Sequence, residues 1–158
     1  MENLKTSKQI NLDADLKPIY NPLQAFEVVV IDDNKLVNMI LSKALDSTIS
    51  RIRNLKKVPM KFSSFKSGKE FLEYLKKKDF GNTKVIVFSD YYLEENVKGA
   101  EILQCVKEKG IDASVIIMSD TYNKETTVDT VKNGAHCFVP KDKETPKMCS
   151  EILSQMVI

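Results

Sequence analysis

Three carboxylates follow apolar runs of this sequence at the points where the runs end. Asp32 and Asp33 come directly after the β-branched run at residues 28–31, and Asp90 ends the run that begins at residue 84. Continuous apolar runs of this length are typical of strands buried on both faces. Three carboxylates held close together cannot all stay ionised without a cation, and a hard divalent ion such as Mg²⁺ suits oxygen ligands. Asp32, Asp33 and Asp90 are therefore candidate metal ligands.

Two further strand ends carry groups that bind anions. Ser119 ends the apolar run at residues 113–119, and Lys141 follows a shorter run at residues 136–140. A hydroxyl and an ammonium both donate to phosphoryl oxygens. Taken singly, these groups have ordinary explanations: Asp-Asp-Asn is more often a helix N-cap, and a serine or lysine after a strand is common. Their joint occurrence at four strand ends favours a site for a divalent cation and a phosphoryl group.

The elements that must position these groups alternate between strand and helix. Five runs typical of strands are each followed by a segment whose apolar residues recur at helical spacing. This alternation predicts an α/β fold, a flavodoxin-like doubly wound five-stranded parallel sheet of order 2-1-3-4-5 with helices on both faces. The first and third strands are then neighbours, so their three carboxylates should lie together. The second strand, which contains Pro59, is expected at an edge.

The buried faces of the five helices are predicted from apolar spacing. The residues expected inside are, helix by helix, Val37, Ile40, Leu41, Ala44 and Leu45; Phe71, Leu72 and Leu75; Ala100, Leu103 and Val106; Val128 and Val131; Met148, Ile152, Leu153 and Met156. Asp33 or Asn34 should cap the first helix and Thr145 the last. Residues 46–57, which end in a basic string, are either a solvated loop or an extension of the first helix.

Length and charge restrict the functional classes. A chain of 158 residues suits one domain, and 24 basic against 22 acidic residues leave a formal charge of +2, so neither nucleic acid nor an anionic membrane is an expected partner. No apolar stretch approaches a membrane span, and the first residues lack the apolar core of a signal peptide, which favours a cytoplasmic location. Cys105, Cys137 and Cys149 have no CxxC spacing and are interpreted as buried thiols.

The chain consists of two regions that differ in the regularity of their apolar spacing. Residues 1–24 contain Pro18 and Pro22 and have no sustained apolar period, whereas residues 25–158 carry the five strand–helix units. The first region is predicted to be an N-terminal arm that is flexible or, alternatively, docks on its own domain or on a partner.

The pattern resembles the receiver domain of two-component response regulators. The resemblance covers about residues 26–157 and rests on Asp32, Asp33, Asp90, Ser119, Phe138 in the fifth strand and Lys141. It implies that Asp90 is the phosphoacceptor for a histidine kinase or phosphotransfer protein. It also implies a Mg²⁺ cofactor held directly by Asp33, Asp90 and the backbone carbonyl of Tyr92, with Asp32 acting through water.

The resemblance further implies a switch and an output. Ser119 and Lys141 would hold the phosphoryl oxygens, and Phe138 would turn into the space that the Ser119 hydroxyl leaves. The expected function is that of a stand-alone, chemotaxis-regulator-like phosphoacceptor, not an enzyme, that switches binding to an unidentified output protein. The sequence departs from the family pattern at Asp120, where the residue is usually small, and at Pro140-Lys141, where lysine usually precedes proline. The interval between Asp33 and Asp90 is also long, with the excess expected between residues 46 and 58.

Two other classes are compatible with parts of the pattern. A degenerate receiver could serve only as a protein-binding scaffold, but the intact set of acids, hydroxyl and lysine argues against it. A small haloacid-dehalogenase-like phosphohydrolase also uses an aspartyl nucleophile, a Ser or Thr and a lysine on a similar sheet. In that class the nucleophile ends the first strand and further acids end the last one. This chain offers only Asp142 as such a later acid.

Overall fold

The computed structural model describes residues 24–93, 97–120 and 124–157, with side chains throughout except at residues 124–126. The N-terminal arm expected at residues 1–24 lies outside the described residues except for Gln24. Gln24 Nε2 donates to the carbonyl of Asn82 at 2.6 Å. None of the described helices is both long enough and apolar enough to cross a membrane.

The described residues form one five-stranded parallel sheet. The strands are β1 (Phe26–Ile31), β2 (Met60–Phe65), β3 (Lys84–Asp90), β4 (Ala113–Ser119) and β5 (Cys137–Pro140). Their spatial order is β2-β1-β3-β4-β5, which confirms the predicted flavodoxin-like fold and the edge position of β2. In the observed register Ile31 pairs with Ser89, Asp90 with Met118 and Ser119 with Pro140, so the carboxyl ends of four strands are level.

Five helices cover the two faces of the sheet. They are α1 (Lys35–Lys56), α2 (Gly68–Lys77), α3 (Gly99–Lys109), α4 (Lys124–Lys132) and α5 (Thr145–Met156). Because side chains alternate along a strand, β1 contributes to two cores. Val28 and Val30 join the core under α1 and α5, and Val29 and Ile31 join the core under α2 and α3.

Helix α1 begins at an asparagine cap and includes the basic string. Asn34 Oδ1 accepts hydrogen bonds from the backbone N–H groups of Leu36 and Val37, both at 3.1 Å. The helix continues for 22 residues, and Ile49 and Ile52 in its second half are buried. Residues 46–56 are therefore a helix extension and not a solvated loop.

Several helices are rotated from the faces that apolar spacing predicted. Seven of the expected residues are buried, namely Leu41, Leu45, Phe71, Leu75, Leu103, Val106 and Leu153. The prediction was wrong for Ile40, Ala100, Val128, Val131 and Met148, which are exposed. Asn38, Ile102, Thr130 and Cys149 are buried on the same helices. A polar residue with internal hydrogen bonds, or a small thiol, can face the core as well as a valine, and such residues turn the helix away from its thin apolar stripe.

Candidate active site at the carboxyl edge of the sheet

The ends of β1 and β3 bring the three predicted carboxylates together. One oxygen from each of Asp32, Asp33 and Asp90 lies within 4.8 Å of the others. Asp32 is 1% exposed and Asp90 is 7% exposed, whereas Asp33 is half-buried. The convergence follows from the strand order, because β1 and β3 are neighbours in the sheet.

Lys141 lies among the carboxylates rather than at the surface. Its Nζ is 2.8 Å from Asp32 Oδ2 and 3.0 Å from Asp90 Oδ2. Among the described residues, one ammonium thus faces a cluster of three carboxylates. If all are ionised, the cluster keeps an excess of two negative charges, which is the electrostatic condition for binding a divalent cation.

Burial and ion pairing set the charge states in this site. Burial raises the pKa of Asp90 to about 6; the nearby Lys141 ammonium opposes this shift, and Asp32 adds to it. Burial on its own lowers the pKa of Lys141, but its contacts with Asp32 and Asp90 outweigh that effect and raise it. Above neutral pH the Asp90 carboxyl is therefore mostly ionised and able to act as a nucleophile.

The oxygens of Asp32 are unequally satisfied. Its Oδ1 accepts a hydrogen bond from the backbone N–H of Asn34 at 2.9 Å. Its buried Oδ2 receives no hydrogen bond of good geometry from the described residues and relies on the Lys141 ammonium. A buried carboxylate oxygen in this condition, beside two further carboxylates, fits a hard divalent cation such as Mg²⁺.

Ser119 brings the end of β4 to the same site. The residue is 1% exposed, and its backbone carbonyl accepts a hydrogen bond from the N–H of Lys141 at 2.8 Å. Tyr91, the residue that follows β3, donates its N–H to the carbonyl of Met118 at 2.7 Å. The hydroxyl-bearing strand end is thus tied on both sides to the segments that carry the acceptor carboxylate and the lysine.

Thr145 builds the loop that positions Lys141. Its Oγ1 donates to the carbonyl of Pro140 at 2.8 Å and accepts from the N–H of Asp142 at 2.7 Å. The Asp142 carboxylate in turn accepts from the N–H of Glu144 at 2.8 Å. The prediction that Thr145 caps α5 was wrong, because its hydroxyl closes this loop instead. The reversed Pro140-Lys141 order is thus compatible with a lysine that reaches both acids.

Comparisons with known proteins agree with this geometry. The family model of the response regulator receiver domain matches residues 28–153. The chain belongs to this family. The match therefore supports a receiver domain and not the phosphohydrolase alternative. Receiver domains of this family are signalling phosphoacceptors of two-component systems. Among proteins of curated function, no sequence matches the chain.

Solved structures of receiver domains share the fold. The Francisella response regulator 1452 receiver domain is 18% identical, with a TM-score of 0.62 over 87% of this chain and 100% of that one. The NarL receiver domain of Mycobacterium tuberculosis is 21% identical, with a TM-score of 0.62 over 83% and 95%. The beryllofluoride-activated DrrB receiver domain of Thermotoga maritima is 19% identical, with a TM-score of 0.63 over 85% and 98%.

Asn38 supports the edge of the sheet that carries Asp32, Asp33 and Asp90, here called the acid edge, and its role was not predicted from the sequence. The side chain is 9% exposed, and its Nδ2 donates to the carbonyls of Asp32 at 3.0 Å and Phe65 at 3.1 Å. Its Oδ1 accepts from the hydroxyls of Ser42 at 3.0 Å and Ser64 at 2.7 Å. One buried amide therefore joins α1 to the ends of β1 and β2. The available signal was a single polar residue within the predicted apolar face of α1.

The segment after the Asp90 strand is held close to α3. The carbonyl of Tyr91 accepts from the N–H of Gly99 at 2.8 Å, and Tyr92 forms a β-bridge with Lys98. A Cβ at Gly99 would lie 3.0 Å from both the Asp90 carbonyl oxygen and Tyr91 Cα, so a side chain at this position would force the neighbouring backbone to shift. The proposed role of the Tyr92 carbonyl as a metal ligand stays a prediction.

Phe138 occupies the predicted position in β5. It pairs with Ile117 of β4 and is partly buried against the core under α2 and α3. Val128 and Val131 on α4 are 43% and 49% exposed. The switch function of Phe138 stays a prediction, and it concerns an aromatic residue close to an exposed apolar helix face.

Proposed function

We propose that this receiver is a Mg²⁺-dependent phosphoacceptor whose Asp90 takes a phosphoryl group from a histidine kinase or a phosphotransfer protein. The observation that carries the proposal is the placement of Asp90. Its carboxylate lies in the cluster with Asp32 and Asp33, and its Oδ2 is 3.0 Å from Lys141 Nζ. Asp32 shares the burial, the lysine contact and the two neighbouring acids, but it follows β1, whereas Asp90 ends β3, the position that the resemblance implies for the phosphoacceptor.

The proposed reaction makes an acyl phosphate on Asp90. A carboxylate oxygen attacks the phosphorus of a phosphohistidine, the P–N bond breaks, and its electron pair goes to the imidazole nitrogen. Such a transfer asks the protein chiefly for positioning and charge neutralisation. Ser119 and Lys141 would hold the phosphoryl oxygens. A Mg²⁺ ion held by Asp32, Asp33, Asp90 and the Tyr92 carbonyl would supply further neutralisation.

A cleft beside Lys141 supports a protein as the phosphoryl donor. Its volume is about 340 Å³, and its walls are formed by Asn34, Val37, Ile40, Leu41, Asp120, Lys141, Asp142, Thr145 and Pro146. Leu36, Met39 and Ile40 on the neighbouring turn of α1 are 60%, 52% and 47% exposed. Exposed apolar side chains next to a reactive group favour contact with an apolar partner surface, as on the helices of a phosphotransfer protein.

The proposed output is a phosphorylation-dependent change in protein binding. When the Ser119 hydroxyl moves toward a bound phosphoryl group, Phe138 can turn inward and alter the face formed by α4, β5 and α5. The exposed Val128 and Val131 support this face as a partner site. The proposed location is the cytoplasm, and the proposed partners are proteins and not nucleic acid or membrane.

Labelling with acetyl phosphate tests the proposal. We expect wild-type protein with Mg²⁺ to take up one phosphoryl group, measured by intact mass, and to bind beryllofluoride as the solved DrrB receiver does. Asp90→Asn should take up none, whereas the control Asp112→Asn, at an exposed acid remote from the site, should label like wild type. Equal labelling of Asp90→Asn would exclude Asp90 as the acceptor. Failure of wild type with acetyl phosphate and with a panel of histidine kinases would favour the degenerate-scaffold alternative.

A further inference from the structure

A second cluster of charged residues lies at the amino edge of the sheet. Glu27 is the second residue of β1 and is 1% exposed, although β1 is otherwise apolar. It precedes Asp32 by five residues, which places the two about 17 Å apart at a rise of about 3.3 Å per residue. The phosphoacceptor chemistry therefore does not explain why a carboxylate is buried here.

The Glu27 carboxylate is well satisfied within the protein. The Tyr74 hydroxyl lies 2.6 Å from its Oε1 and 2.9 Å from its Oε2. Lys61 Nζ lies 3.4 Å and Lys78 Nζ 3.9 Å from Oε1. Glu27 and Tyr74 thus form a buried support that holds two ammonium groups in place.

The same ammonium groups line a cavity in which positive charge is in excess. The cavity has a volume of about 400 Å³ and is lined by Ala25, Phe26, Glu27, Arg53, Pro59, Met60, Lys61, Lys78, Phe80 and Thr83. Arg53 donates to the carbonyl of Met60 at 2.9 Å, which fixes its guanidinium at the wall. Of the described lining residues, three are cations and one is a carboxylate, so the cavity has a net charge of about +2 when all are ionised.

The two lysines share one carboxylate oxygen, because both Nζ atoms lie within 3.9 Å of Glu27 Oε1. Their Nζ atoms lie 5.7 Å and 5.6 Å from the centre of the same Tyr74 ring. Arg53 and Lys78 stand at helix C-termini, where cations are stabilised by the helix dipole, but Lys61 is on strand β2. The repulsion between the two ammonium groups is thus a cost that a bound anion would remove.

We propose that this cavity is a binding site for a small dianion of the phosphate or sulfate class, held by Arg53, Lys61 and Lys78. A dianion balances the net charge of the lining residues, and an arginine with two lysines provides both directional and mobile donors. The apolar walls at Phe26, Met60 and Phe80 restrict the space beside the charged groups. The site is separate from the acid cluster and would be occupied independently of it.

Thermal unfolding of the full chain with inorganic phosphate tests the site. The titration is done without Mg²⁺ and at constant ionic strength, set with sodium chloride, so that general screening does not change. At ten times the dissociation constant we expect the Tm of wild type to rise by about 3 °C. Lys61→Gln/Lys78→Gln should lose the rise, whereas the control Lys132→Gln/Lys147→Gln, at exposed lysines elsewhere, should keep it.

Glu27→Gln should strengthen phosphate binding, whereas the lysine substitutions should weaken it. Because the buried carboxylate repels an anion, its neutralisation should tighten phosphate binding about threefold or more, measured by calorimetry. Phosphate-induced NMR shifts should appear at the amides of Lys61, Lys78 and Thr83. No rise in Tm for wild type, an equal rise in the Lys61/Lys78 variant, or shifts confined to the neighbourhood of Asp90 would each overturn the proposal. The lysine variants decide the matter even where Glu27→Gln fails to fold, because Lys61 is exposed and Lys78 is only half-buried.

Discussion

At the scale of single residues, the acid edge depends on a buried amide as much as on the acids themselves. Asn38 makes four hydrogen bonds that join α1, β1 and β2, and two of them involve the carbonyls that end the strands. The Asn38 side chain therefore helps to hold the backbone that carries Asp32 and Asp33 in place. Reasoning from apolar spacing could not find this residue, because asparagine within a helix is usually solvated.

We expect Asn38→Ala to lower the free energy of unfolding by about 2–4 kcal/mol, since it leaves buried carbonyls and hydroxyls without partners. Urea unfolding measures this loss. Asn54→Ala, at an exposed position of the same helix, is the matched control and should change stability by no more than about 0.5 kcal/mol. A loss below about 1 kcal/mol in Asn38→Ala would mean that water replaces the amide without cost.

Asp120 places a carboxylate at the mouth of the proposed site. It is exposed and lines the cleft that also contains Lys141 and Asp142. A like charge about 6 Å from an incoming dianion costs on the order of 1 kcal/mol at high effective dielectric, before salt screening. We therefore expect Asp120→Asn, which removes charge but little volume, to speed acetyl phosphate labelling about fivefold at low salt.

The effect of the Asp120 charge can be distinguished from the effect of its volume by varying the salt concentration and the substituted residue. The gain of Asp120→Asn should shrink at high salt, whereas any additional gain of Asp120→Ala reports bulk and should persist. An unchanged labelling rate of Asp120→Asn at low salt would mean that the carboxylate faces away from the donor. The four-residue spacing also allows Asp120 to pair with Lys124, whose side chain lies outside the described residues.

At the scale of elements, the sheet was predictable and the rotation of the helices was only partly so. Continuous apolar runs define β1, β3 and β4 because both faces of these strands are covered by helices. Helix α4 has a thinner pattern, and its buried residue is Thr130 while Val128 and Val131 face outward. The prediction of a buried apolar face on α4 was therefore wrong, because an exposed apolar pair and a core face can have the same helical spacing.

The exposure of Val128 and Val131 on α4 leads to a prediction about the coupling between β5 and α4. Phe138→Ala should leave acetyl phosphate labelling of Asp90 nearly unchanged, because the ring does not contact the carboxylates in any described interaction. It should reduce the beryllofluoride-induced NMR shifts at the amides of Val128 and Val131 by more than half. Phe62→Ala, at a partly buried phenylalanine on the edge strand, controls for loss of an aromatic side chain. Equal shifts in Phe138→Ala and wild type would contradict the assignment of Phe138 as the switch.

At the scale of the whole molecule, a formal charge of +2 does not show where the charged residues lie. In a parallel α/β fold the strand carboxyl ends and the helix N-termini share one edge, and the helix C-termini share the other. The first edge collects the three acids. The second collects Arg53, Lys56, Lys76, Lys77, Lys107, Lys109 and Lys132 from the last turns of four helices. The net charge therefore argues against a strong overall electrostatic field. It could not show that three acids collect at one edge of the sheet and helix-terminal cations at the other.

Truncation tests what the first 23 residues contribute to the stability and phosphorylation of the whole molecule. The ten helices and strands of the described residues lie between Phe26 and Met156, and the first described contacts are Gln24 with Asn82 and Ala25 with Lys84. A chain that starts at Gln24 keeps both contacts and both cores. We expect it to unfold within about 2 °C of the full chain and to accept a phosphoryl group at the same rate, by thermal unfolding and acetyl phosphate labelling. The alternative that the arm docks on the domain requires a loss of stability on truncation. A drop of more than about 4 °C, equivalent to about 1 kcal/mol or more in a chain of this size, would favour docking over a flexible arm.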